Sequence, residues 1–350
     1  MALDLDFLKR LLAAPGASSF ESRPAETFRA RAEELGLTTE RDAYGTVFAV
    51  ANPGAGPRLL LSGHIDEIGL LITHVDDDGF GWFKGVGGWD PMQLVGQRVR
   101  VVSRDGDTVG VIGKKPIHLM SAEDRRKTAK IEDLFIDVGA SGKSDAEEAM
   151  RPGDFAVIEQ PLVELRNGRI ASKAIDDRIG AYVALETARR SVGLGSEVVA
   201  SATVQEEIGG VGSAAASYRW SPDVAIAIDV THATDVPGIA KKQEGDHPLG
   251  SGPELSIGSY VQRGVLDALR DVAEAQSIPY TVGTAPRRTG TDADFLAKVK
   301  AGVPTAVVSI PNRYMHSPNE TVDPTDVEAA IALLTAFAEA LPGRVPIAQP

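Results

Sequence analysis

TVQEEIGGVGSAA, residues 203–215, admits two readings that lead to different folds. Read from its glycines, Gly210-x-Gly212-x-x-Ala215 behind an apolar run is a short form of the dinucleotide loop, with Asp229 further on as a ribose acid. Read from its acids, Glu206-Glu207 at the end of a buried run begins an acid/base or metal site. Residues elsewhere in the chain separate the two.

The pattern of an apolar run ending in an acid or an imidazole recurs. LLLSG ends at His64, SATVQ at Glu206-Glu207 and VAIAI at Asp229; TAVVSIPNRYM is followed by His316, and Asp176-Asp177 opens IDDRIGAYVALETA. SEVVASATVQ, PDVAIAIDV and TAVVSIPN are near-continuous apolar runs, which predict strands buried on both faces. Helical periodicity is predicted over 5–14, 24–35, 175–190 and 325–341, the last opened by a Thr325-x-x-Glu328 capping box. Strands and helices in this alternation predict α/β layers, whose strand ends form a binding edge.

Between 71 and 162 the texture changes to short apolar runs (LVGQRVRVVS, DTVGVIG, DLFIDVG, DFAVIEQ) cut by Gly, Asp and Pro. This predicts a small all-β domain, with Trp82, Phe83 and Trp89 in its core, inserted into an α/β domain made of 1–70 and 163–350.

Composition narrows the chemistry. The 350-residue chain has no cysteine, which removes disulfides, thiolate nucleophiles and Cys-ligated zinc together. A net charge of −13 argues against nucleic acid as a partner. No apolar run approaches the roughly 20 residues that span a bilayer. MALDLDFLKR lacks a basic n-region, so the expected location is cytoplasmic, with no membrane partner.

Each polar residue alone has a duller explanation: Asp176 as a helix N-cap, Asp66 as a turn residue, a histidine after a strand as an ordinary hydrogen-bonding group. Together His64, Asp176, Glu206-Glu207, Asp229 and His316 put several carboxylates at one sheet edge, which is costly without a cation. Two histidines and several carboxylates suit one or two ions such as zinc, cobalt or manganese. His64-x-Asp66 adds a carboxylate able to orient the imidazole. In an extended segment Glu206 and Glu207 point to opposite sides, one to metal and one to substrate. That arrangement is unlike a glycosidase, whose acids face each other across one bond. Asp137–Ser144 misses a P-loop by one residue, no Gly-x-Ser-x-Gly elbow occurs, and His74, His118, His232 and His247 read as structural or surface residues.

With SGHIDEIG, GVGGWDP, GVIGKKPIHL, KIEDLFIDVGA, KAIDDRIGAY, VQEEIGGVGSAAA, AIDVTHATDVPG and YMHSPNE in place, the sequence resembles, nearly end to end, the tetrahedral aminopeptidases. That dinuclear metallopeptidase family includes glutamyl aminopeptidase. The resemblance implies a three-layer mixed-sheet metallopeptidase domain carrying a PDZ-like dimerisation domain, with dimers assembling into a hollow dodecamer. It implies two divalent ions per subunit, His64 and Asp229 on one, Glu207 and His316 on the other, and Asp176 bridging. It also makes Glu206 the catalytic base on a metal-bridged water, Asp66 the residue orienting His64, and short peptides the substrates. GDHPLGSGPELSIGSYVQRG, 245–264, departs from the family's substrate-side loop. The competing readings are a dinucleotide-binding oxidoreductase, a carbohydrate-active hydrolase and a non-catalytic assembly protein.

Overall fold

Leu59 and Leu61 face one side of a sheet and Leu60 the other, and the same alternation runs through Val198–Ala200, Ala225–Ile228 and Ala306–Val308. Successive strand residues point to opposite faces, so a strand that is apolar at every position requires cover on both. In the computed structural model, which describes residues 3–347, both faces are covered. Helices Leu5–Ala13, Ser22–Glu34, Ile175–Arg190, Arg263–Ala275 and Pro324–Ala340 contribute to the larger core, and Val211–Trp220 and Ala293–Leu296 to the smaller. Met1, Ala2 and 348–350, the outermost positions of the expected two-part domain, lie outside the described residues.

The sheet has eight strands in the order Thr38–Arg41, Val47–Ala51, Glu197–Thr203, Arg58–His64, Val224–His232, Thr305–Asn312, Glu254–Gly258, Thr281–Ala285. Its centre is parallel: Glu197–Thr203, Arg58–His64, Val224–His232 and Thr305–Asn312 all run the same way. Consequently Thr203, His64 and the end of Val224–His232 reach the same edge. Antiparallel pairing of Glu254–Gly258 with Thr305–Asn312 makes the sheet mixed.

The insertion is a closed antiparallel barrel of Gly69–Val75, Gly81–Val86, Phe135–Asp137, Gly106–Gly113, Arg98–Ser103 and Phe155–Ile158. Phe83 is buried in its interior with Leu70, Ile72, Val99 and Ile136. Trp82, expected there too, is the neighbour of Phe83 on the same strand and therefore faces outward, half-buried, its Nε1 donating to Asp76 at 2.9 Å. Trp89 packs partly against the interior and donates to the Gly69 carbonyl at 2.9 Å. Among the described residues no helix is long and apolar enough to cross a membrane.

The last helix corrects one expectation. It runs Pro324–Ala340 and is capped by Asp323, whose side chain accepts from Thr325 N, so Thr325 lies inside the helix rather than at its cap. Pro324 at the first position has no N–H to satisfy, which favours the acid before it.

Candidate metal centre and catalytic site

The parallel strands deliver His64 and Asp229 to one edge of the sheet, and the turn after Thr203 delivers Glu206 and Glu207. Asp176 arrives from the start of Ile175–Arg190, where Asp176 and Asp177 depart from helical dihedrals and their mutual peptide is cis. His316 comes from the loop after Thr305–Asn312.

Asp176 joins the two imidazoles. Its Oδ1 lies 3.1 Å from His64 Nε2 and its Oδ2 3.3 Å from His316 Nε2. His316 Nε2 is also 3.3 Å from Glu207 Oε1. Among the described residues two clusters are close enough to hold an ion, one of His64, Asp176 and Glu207, the other of His64, Asp177 and Asp229. The expected residues therefore meet, and Asp177, read from the sequence only as part of the helix opening, joins them.

Both imidazoles are fixed from behind. His316 Nδ1 lies 2.8 Å from the Gly88 carbonyl, a contact made by the barrel. His64 Nδ1 lies 3.2 Å from the Asp66 carbonyl and 3.4 Å from its carboxylate, so the backbone oxygen is the better-placed acceptor. A carbonyl can only accept, which puts a proton on Nδ1 and turns each Nε2 towards the acids.

The Asp66 carboxylate does more than face His64. It accepts from Glu206 N at 3.1 Å, Glu207 N at 3.2 Å and Ser18 Oγ at 2.6 Å. The two glutamates occupy a turn rather than extended backbone, so strand alternation is not what separates them. Their directions still diverge: Glu206 Oε2 is 4.0 Å from His64 Nε2, and Glu207 faces His316. The glycines that follow serve packing. A Cβ on Gly210 would collide with the Phe295 ring, and one on Gly212 would stand 2.6 Å from the Val204 backbone. Both glycine surfaces thus meet protein, leaving no open cradle for a pyrophosphate.

Sequence reasoning missed Glu320 as a site residue. Buried at the end of YMHSPNE, it accepts from Asp176 N and from His316 N, each at 2.9 Å, one carboxylate holding two neighbouring backbones. His316 itself has φ +60, a left-handed conformation that this contact helps to hold. Its spacing from His316 was visible, but nothing in one strand pattern announces an acid aimed at backbone.

Charge in the cluster is unbalanced. Burial, then neighbouring acids, push Glu206 up to about 9 and raise Glu207, Asp177 and Asp229. His316, hydrogen-bonded to Asp176 and Glu207, is pushed up to about 11. Burial opposes the charging of His64, yet its contacts to Asp176 and Asp66 outweigh it and raise it well above an ordinary imidazole. Asp176 is held below its usual range despite burial, by His316 and His64. Acids that cling to protons and imidazoles that gather them mark a site deficient in positive charge. Oxygen and imidazole donors in this number, with Nδ1 already occupied, fit divalent cations.

The sequence pattern of the M42 glutamyl aminopeptidase family matches residues 45–333. The chain is 34% identical to a lysyl aminopeptidase of Pyrococcus furiosus, over 97% of this chain and 98% of that protein. Among solved structures it is similar to a TET aminopeptidase from a marine sediment archaeon of the Thaumarchaeota (TM-score 0.92, 33% identity, 96% of each chain). It is similar also to the TET1 peptidase of Pyrococcus horikoshii, which assembles into a tetrahedron or an octahedral shell (TM-score 0.84, 32% identity, 95% of this chain and 98% of that one). Sequence and fold matched across most of the chain place it among the exopeptidases: the chain belongs to the M42 glutamyl aminopeptidase family.

Proposed function

We propose that the protein removes the N-terminal residue from short peptides with two divalent metal ions and Glu206 as general base. The observation that carries this is Asp176, whose two oxygens face two imidazoles while Glu206 stands beside them without a hydrogen bond to either ring. His64, Asp229 and Asp176 would hold one ion, and Asp176, Glu207 and His316 the other, with Asp177 supporting the first. Bound there, zinc, cobalt or manganese would supply Lewis acidity and make water acidic enough to deprotonate near neutral pH.

Glu206 takes the proton of the attacking water and returns it to the leaving amine. Its carboxyl has the proton affinity such a shuttle needs, since burial and nearby acids raise it, and bound cations would draw it back towards the working range. Asp66 positions this base through the Glu206 N–H as well as supporting His64. Lysyl and glutamyl residues, named in that relative and in the family, carry opposite side-chain charges, so family membership alone does not fix the preferred residue.

The barrel is further proposed to mediate self-association into dimers and then a dodecamer, supported by the tetrahedral assembly of the Pyrococcus horikoshii relative. Light scattering on the purified protein reads this directly, and a monomer at micromolar concentration would remove it.

The test of the activity is a panel of aminoacyl amides assayed after chelation and after adding back each metal. Turnover is expected to vanish and return with metal. Glu206→Gln should retain its metal and lose about 10²-fold or more in kcat. Hydrolysis that ignores chelation, or a near-normal rate in the Glu206→Gln variant, would sink the mechanism; saturable NAD(H) binding or cellulose cleavage would support the competing readings.

A further inference from the structure

Next to the metal cleft is a second recess of about 300 Å³, and the two share Val230, Thr231, His232, Thr289 and Thr291. A group bound in the cleft can therefore extend into the recess. Its lining adds one buried acid, Glu254, on the strand Glu254–Gly258.

Register fixes where that acid lies. Asp229 pairs with Ser309, and Ser309 pairs with Glu254, so the three form one row across neighbouring strands. Residues directly opposite one another project to the same face, and two strand spacings put Glu254 about 10 Å from Asp229, backbone to backbone. An extended lysine side chain spans roughly 6 Å from Cα to Nζ, so an α-amino end near the acids and a side-chain ammonium near Glu254 fit the two ends of this row.

The carboxylate is built in rather than incidental. Thr231 Oγ1 donates to its Oε2 at 3.1 Å and Ser256 Oγ to its Oε1 at 3.0 Å. His247 Nε2 stands 3.4 Å from Oε2, and its Nδ1 lies 2.8 Å from Thr281 Oγ1. On the adjacent strand Gly283 leaves the space, because a Cβ there would collide with the Glu254 carboxylate. An ionised carboxylate offers about four acceptor sites, and two hydroxyls with the more distant His247 ring leave capacity for a further donor.

The recess also carries opposite charges at its rim. Arg287 and Arg288 are exposed and make no ion pair among the described residues, and Glu244 is exposed as well. Solvent screens rim charges, whereas Glu254, 6% exposed, acts through a less polar medium. The buried acid therefore outweighs the rim arginines.

We propose that this recess receives the side chain of the substrate's N-terminal residue and that Glu254 selects a cationic one, lysine or arginine. The inference rests on the aminopeptidase reading of the adjoining cleft.

The test compares kcat/KM of the metal-loaded enzyme for lysyl, arginyl, norleucyl, leucyl and glutamyl amides. Lysyl and arginyl amides should exceed norleucyl, which approximates lysine in length without the charge, by roughly tenfold or more. Glu254→Gln should collapse the lysyl-to-norleucyl ratio, and Gly283→Ala, which displaces the carboxylate without removing it, should do the same. Norleucyl or leucyl amides turned over as well as lysyl, a glutamyl preference abolished by Arg287→Ala or Arg288→Ala, or an unchanged ratio in Glu254→Gln would each overturn the selection while leaving the aminopeptidase. If no aminoacyl amide is hydrolysed after metal add-back, both readings fall together; if the variants do not fold, the native lysyl-to-norleucyl ratio decides.

Discussion

Asp176 and Glu320 support the same cluster by different routes. Asp176 offers one oxygen to each ring, so Asp176→Asn should lower metal content at both positions, and unchanged occupancy by elemental analysis would rule out a bridge. Glu320 never meets a ring; it accepts the backbone N–H of Asp176 and of His316. A glutamine has one acceptor oxygen where the carboxylate has two, so Glu320→Gln leaves one of those N–H groups facing a donor. Metal affinity is expected to fall about tenfold or more, read by competition with a chromogenic chelator, while the fold persists by circular dichroism. His64, Glu206-Glu207 and Asp229 were legible because each ends a buried run, His316 because it follows one and Asp176 because it opens a helix; the roles of Asp177, beside His64 and Asp229, and of Glu320, which holds two backbones, were not, because folding alone brings those partners together.

At the scale of elements, near-continuous apolar runs were enough to read the central strands, since every position of those strands must be covered, and helical periodicity was enough for Leu5–Ala13, Ser22–Glu34, Ile175–Arg190 and Pro324–Ala340 but did not pick out Arg263–Ala275. Local geometry at the ends escaped it. Glu206 and Glu207 sit in a turn gathered by Asp66, a residue 140 positions earlier for Glu206, and no periodicity encodes that distance. The barrel was legible as β texture, but its closure by Gly69–Val75 on Phe155–Ile158 was not, nor was the reach of Gly88 to His316. The final helix shows the same limit in miniature. Thr325-x-x-Glu328 has the form of a capping box, yet Asp323 accepts from both Thr325 N and Thr325 Oγ1, and Glu328 accepts from Arg190. Asp323→Ala should therefore cost about 1 kcal/mol in thermal or denaturant unfolding, and Thr325→Ala distinctly less. Equal costs would return the cap to Thr325.

Across the whole molecule, the site's excess of acid makes stability a function of pH and metal together. Glu206 rises from an ordinary 4.5 to about 9 on folding, and Glu21, buried near Asp66, to about 7. Each holds its proton more tightly folded than unfolded, so its contribution is complete below pH 4.5 and is lost as pH rises through the folded value. His316, raised from 6.5 to about 11, works in the same sense at higher pH. Asp176 and Asp66 are lowered and act oppositely, but only near and below their ordinary 3.8. Metal-free protein should accordingly lose stability as pH rises from about 5 to about 9. Divalent cations take the place of those protons, so their stabilisation should grow over the same window. Melting temperatures in chelator, with and without added zinc or manganese, measure both slopes. General self-repulsion of a chain with net charge −13 would also steepen with pH, and Glu206→Gln separates the two causes. Removing one raised carboxyl should flatten the metal-free slope between pH 4.5 and about 9, whereas a slope identical to the native protein's would assign it to overall charge.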